Sequence, residues 1–143
     1  MKKVMAFGSF DVLHKGHYFL LDTAQKQGEL TIIVALDSTI EKLKGNKPHY
    51  TQTKRVKHLQ SKYPNVTVVL GREKDKMYWV KKVKPDLFVL GYDQSAFVSK
   101  LKTYAKSHEC KIDVLSSYKA YKYKSSKVKN SFWRMLRYKL FRR

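Results

Sequence analysis

This chain has little of what would tie it to an oxidising compartment, a membrane or a metal. Its one cysteine, Cys110, excludes an internal disulfide framework and fits a reducing compartment. No cysteine and histidine group has zinc spacing, so no metal ligands are assigned. The longest apolar run, residues 30–36 with Thr31 inside it, is far too short to span a bilayer. The start, Met1-Lys2-Lys3-Val4, leads straight into an apolar strand and not into a signal-peptide apolar region. Internal repeats and long linkers are also missing. A cytoplasmic, soluble protein is the expectation.

Acids are scarce. The 143 residues hold 31 Lys+Arg against 11 Asp+Glu, a formal net charge of +20. Residues 114–143 hold 10 of the basic residues and no acid. Such a field suits polyanionic substrates and speeds their encounter. It also admits a nucleic-acid partner. The length fits one domain with a real core, and the 43% of hydrophobic residues is ordinary for a globular protein.

Apolar runs alternate with helical patterns along the chain. Strands are expected at residues 3–7, 30–36, 66–70, 87–90 and 111–115. The second is apolar and β-branched, as a strand buried on both faces requires. Helices are expected at 16–27, stopped by Gly28, and at 38–43. Thr51 can cap a third running to about residue 62. Further helices are expected at 75–83, ended by Pro85, at 96–107, and at 126–141. Five strands separated by helices predict a single-domain, doubly wound, Rossmann-like α/β fold with a parallel sheet.

The most informative segment follows the first strand: Gly8-Ser9-Phe10-Asp11-Val12-Leu13-His14-Lys15-Gly16-His17. It lies where the first strand hands over to the first helix, the crevice where open α/β sheets bind ligands. Gly8 would let a phosphate approach the backbone, and Gly16 removes bulk at the helix entry. The free amides and dipole of the first helical turn favour an anion. His14 and His17 can both point at one phosphate group as donors.

Two further stretches join it. Gly91-Tyr92-Asp93-Gln94 follows the fourth strand, across the switch point if strands one and four are neighbours. Asp93 there can accept from a nucleoside or cap the next helix. Lys42-Leu43-Lys44-Gly45-Asn46-Lys47-Pro48, with Arg55 beyond, gathers the cations that a triphosphate and a leaving pyrophosphate call for. A solvated loop is the plainer account of any one of these lysines. His49 reads as a solvated loop histidine, and His58 and His108 carry no assigned role.

The decapeptide resembles the signature of the nucleotidyltransferase superfamily with the His-x-Gly-His motif. Taken with Lys-Leu-Lys-Gly-x-Lys-Pro and Pro-Asp-x-x-x-Leu-Gly-Tyr-Asp-Gln, residues 1–97 are most similar to the archaeal-type FAD synthases. Glycerol-3-phosphate cytidylyltransferases resemble the same region but usually carry Gly-Asp-Asp-Trp where this chain has Gly91-Tyr92-Asp93-Gln94. The heptose-phosphate adenylyltransferases share the Lys-Leu-Lys-Gly element. The resemblance implies transfer of AMP from ATP to FMN, with release of pyrophosphate. A magnesium ion would travel with the ATP. It implies catalytic roles for His14, His17, Lys44 and Arg55, the last two on the β- and γ-phosphates. Gly8, Ser9, Phe10, Lys15 and Gly16 would help cradle the nucleotide phosphates, and Gly91 and Asp93 would meet the nucleoside. Asp11 would contact the metal indirectly or hold its own loop by local hydrogen bonds.

Residues 119–143 depart from the pattern. Ser125 and Ser126 stand where the superfamily has a hydroxyl pair for phosphates. Tyr118 or Tyr121 is placed to stack on adenine or to pack on the domain. The cysteine pair often found hereabouts in archaeal-type FAD synthases is missing. The final segment is a basic amphipathic helix pattern, with Val128, Phe132, Leu136 and Leu140 recurring every four residues. Packing on the domain or on the mate of a homodimer is the plain reading. An anionic membrane and a nucleic acid are the sharper ones. The alternative of another class is a basic binding module that keeps the fold without turnover.

Overall fold

The computed structural model describes residues 1–92, 94 and 97–116. The expected final helix at 126–141, and with it Asp93, Tyr118, Tyr121, Ser125 and Ser126, lies outside the described residues.

Ten elements alternate along the described chain: β1 (Lys3–Gly8), α1 (Lys15–Gln27), β2 (Glu29–Val34), α2 (Asp37–Lys44), α3 (Gln52–Lys62), β3 (Thr67–Leu70), α4 (Tyr78–Val83), β4 (Leu87–Gly91), α5 (Val98–Ser107) and β5 (Lys111–Leu115). The five strands form one parallel sheet in the order β3-β2-β1-β4-β5. The doubly wound fold is as the alternation predicts. β1 and β4 are central neighbours, and the chain leaves them in opposite directions. Their carboxyl ends therefore open the switch-point crevice.

The period-two strand pattern builds two cores. Val4 and Ala6 of β1 join Leu20, Leu21 and Ala24 of α1 and Leu59 of α3 on one face. Met5 and Phe7 join Val80 of α4 and Leu101 of α5 on the other. β2 is buried from Leu30 to Val34, as its β-branched run requires.

Boundaries shift where local hydrogen bonds compete. β2 stops two residues early: Ala35 N still donates to Gly8 O as the last rung beside β1, and Leu36 already serves as the N-cap of α2. α4 begins at Tyr78, since Asp75 Oδ1 takes the Met77 N–H in a side-chain turn that replaces the expected first helical turn. It ends at Val83, and its C-cap Lys84, just before Pro85, adopts a left-handed conformation at φ 55°. Thr51 caps α3 as expected, its hydroxyl accepting from Lys54 N.

Candidate active site

The turn leaving β1 is folded around two aromatic contacts. Phe10 is buried and holds φ +50°. Its ring lies over Gly8, so a Cβ on Gly8 would stand 2.9 Å from two ring carbons. The Phe10 ring thus takes the space that a side chain at position 8 would need, which gives Gly8 a packing reason of its own. The same ring meets His17 edge-on at 5.4 Å.

The two histidines form a capping box in place of the usual hydroxyl and carboxylate. His14 is the N-cap of α1, and its Nδ1 accepts from Gly16 N at 3.0 Å. His17 Nδ1 accepts from His14 N at 3.3 Å. The rings stack with centroids 3.9 Å apart. Gly16 is required here, because a Cβ would stand 2.9 Å from His14 Cε1. A nitrogen that accepts from an N–H carries no proton of its own. Both Nδ1 atoms are therefore the bare ones, and each Nε2 carries the N–H. The backbone thus selects the tautomer that a phosphate oxygen needs. Lys15 is the exposed first residue of α1.

Asp11 does not bond locally. Its Oδ2 accepts from His49 N at 2.6 Å and its Oδ1 from Tyr50 N at 2.8 Å, across 38 and 39 residues. Burial pushes its carboxyl up, but these two donors and the nearby Arg55 and His49 outweigh that. The net shift is below the ordinary 3.8.

Arg55 departs most from expectation. It is fully buried, at 0% exposure. Nε donates to Tyr50 O, Nη1 to Ser9 O and Ala35 O, and Nη2 to Asp37 Oδ1 at 2.6 Å. A guanidinium has five N–H groups, and four acceptors already take its fork. These contacts support an internal role for Arg55 beside the phosphate role that the resemblance implies: it ties the β1 and β2 turns to the loop before α3. Lys44 fits its implied role better, being exposed at the end of α2 just before the left-handed Gly45.

Across the switch point, Gln94 bridges the two central strands. Its Oε1 accepts from Gly91 N and its Nε2 donates to Phe7 O. The Gly91 amide is thereby occupied. Gln94 carried no role in the sequence reading, although it closes the Gly-Tyr-Asp-Gln motif. Asp37, the ion-pair partner of Arg55, was also missed, because its partner is 18 residues away.

The described residues hold no group of three or more His, Cys, Asp or Glu that could bind a metal. Both oxygens of Asp11 already receive backbone N–H groups. A separate groove of about 500 Å³ between α1 and the end of α3, lined by Tyr18, Asp22 and Tyr63 among others, contains none of the motif residues.

Comparison with known proteins agrees with this geometry. The cytidylyltransferase-like family model matches residues 5–131. The FAD synthase of Aciduliprofundum boonei is 40% identical over 116 residues, covering 80% of this chain and 77% of that protein. The FAD synthase of Methanopyrus kandleri is 34% identical over 123 residues, covering 82% of this chain and 81% of that protein. Among solved structures, the lipopolysaccharide core biosynthesis protein from Thermoplasma volcanium is 34% identical with a TM-score of 0.69. That match covers 82% of this chain and 96% of that one. A pantoate-beta-alanine ligase from Francisella tularensis, at 13% identity and TM-score 0.54, shares the fold alone. The strand order, the histidine pair at the β1 to α1 turn and these matches together establish that this chain belongs to the cytidylyltransferase-like family.

Proposed function

We propose that this chain is an FMN adenylyltransferase, an FAD synthase that joins FMN to the AMP part of ATP. A phosphate oxygen of FMN attacks the α-phosphorus of ATP in line. The bond from that phosphorus to its bridging oxygen breaks, and pyrophosphate leaves. No covalent enzyme intermediate is needed, so the protein acts by positioning and by stabilising charge. The observation that carries the reading is the histidine capping box. It presents two N–H donors at a helix N-terminus beside the switch point, where a nucleotide phosphate is recognised. The FAD synthase relatives supply the acceptor.

In this reading His14 and His17 meet the α- and β-phosphates. Lys15 and Lys44 add positive charge toward the departing pyrophosphate. Asp93 reads the nucleoside, Tyr118 or Tyr121 stacks on the base, and Ser125 and Ser126 hold phosphate oxygens. Magnesium enters as the ATP complex and neutralises phosphate charge, with few protein ligands because it keeps its waters. Catalysis follows from groups fixed before substrate arrives: the Nε2 tautomers are already set, and the Arg55 ties hold the turn at Ser9. The enzyme works in the cytoplasm, where ATP is made, and as a homodimer. No helix among the described residues is long and apolar enough to cross a membrane.

A second reading has one specific support, the 34% identity to the lipopolysaccharide core biosynthesis protein. It would replace FMN by a sugar phosphate. Purified protein supplied with FMN, ATP and magnesium separates the two. FAD with equimolar pyrophosphate supports the first reading. Turnover only with a sugar phosphate supports the second.

A further inference from the structure

We propose that Asp11 is a positioning residue that hangs the basic loop 45–50 over the phosphate crevice. The loop follows Lys44 and carries Lys47 and His49. Gly45 closes α2 through its N–H to Glu41 O. Among the described residues, the hydrogen bonds of residues 46–50 end on two side chains. Asp11 takes the N–H groups of His49 and Tyr50, and Arg55 donates to Tyr50 O. Residues 45–47 are exposed, so little apolar packing holds that half of the loop. The rest of the anchorage is aromatic: Tyr50 meets His49 at 4.5 Å and His58 at 4.8 Å, both edge-on.

Asp11 stands three residues before His14, on the turn that presents the histidines. One carboxylate therefore joins the histidine turn to a lysine-bearing loop some forty residues on in the chain. Each oxygen serves one amide, a charge-assisted pair that neither Asn nor Ser can reproduce. Asp11 acts through the loop and does not meet the substrate or the metal. Holding Lys44 and Lys47 in register with His14 and His17 is its contribution to rate. Only the kinetic arm of the test rests on the FMN adenylyltransferase reading.

The experiment compares the wild type with Asp11→Ala and Asp11→Asn. Native-state trypsin cleavage after Lys44 is followed by mass spectrometry, with cleavage after Lys100 in α5 as the internal reference. Release of the loop should raise the first rate about tenfold relative to the second. FAD formation should fall on the order of a hundredfold in kcat/KM for Asp11→Ala, with the magnesium concentration for half-maximal rate unchanged. Asp11→Asn, which keeps one acceptor, should fall between. Cleavage after Lys44 at the wild-type rate in both variants would overturn the proposal, as would a shifted magnesium requirement with unaltered cleavage. If Asp11→Ala does not fold, Asp11→Asn decides alone. If the wild type makes no FAD, the proteolysis arm still decides, and only the functional reading fails.

Discussion

Replacing Arg55 by Ala should unfold this domain more readily before it does anything specific to substrate binding. The side chain is wholly buried, with an ion pair of 2.6 Å to Asp37 and hydrogen bonds to three backbone carbonyls, of Ser9, Ala35 and Tyr50. Removing one partner of a buried pair costs about 3–5 kcal/mol. Asp37 is 39% exposed and can be rehydrated, which lowers its share. The three carbonyls belong to half-buried residues, so each orphaned group costs near the low end of about 1–3 kcal/mol. Together these give about 3–5 kcal/mol for Arg55→Ala, a large part of the 5–15 kcal/mol that holds a domain folded. The melting midpoint should drop on the order of 10 °C. Arg55→Lys should recover less than half of this, because an ammonium lacks the planar fork that reaches four acceptors. Urea unfolding followed by circular dichroism measures the first effect, and nucleotide titration of the folded variant measures the second. A stability within about 1 kcal/mol of wild type, with a weakened affinity for ATP, would refute the internal role. The guanidinium would then belong to the substrate.

Two other outcomes follow from the same geometry. His14→Ala should lose both a phosphate donor and the α1 cap, so turnover should fall about a hundredfold to a thousandfold and stability by about 1 kcal/mol. His14→Asn, with a good capping side chain, should restore the stability and leave the turnover low; equal recovery of both would make His14 a cap only. Cys110 should be nearly inert. Burial, then the charge of Asp86, pushes its thiol from 9.0 up to about 11. A raised thiol value means that the native state favours the protonated form. This contribution to stability is present below pH 9.0 and is lost as pH rises through about 11. Alkylation by iodoacetamide at pH 8 should be about a hundredfold slower than in the urea-unfolded chain, and equal rates would contradict the burial.

What was legible in the sequence is what local pattern encodes. Alternating apolar runs fixed the strands, and Thr51 marked a helix start. The spacing of His14, Gly16 and His17 beside a strand end marked the crevice. What was not legible depends on partners distant in the chain. Arg55 looks like any surface cation on an amphipathic helix until Ser9, Ala35, Tyr50 and Asp37 are seen to surround it. Asp11 reads as a turn residue until its oxygens meet His49 and Tyr50. Nothing local to Gly8 says that the Phe10 ring folds back over it. Charge counts carry a similar ambiguity. Lys44 and Arg55 are equal in sequence, yet one is exposed and the other is a buried strut.

The family fixes the crevice and the paired histidines, while the acceptor decides what the enzyme makes. The most direct measurement is FAD formation by the purified chain from FMN and ATP with magnesium, with CTP replacing ATP in a parallel reaction. The account predicts FAD and pyrophosphate in equal amounts with ATP, and none of the cytidine analogue with CTP. Absence of FAD from a folded, ATP-binding protein would contradict it and leave the fold with a different phosphate acceptor.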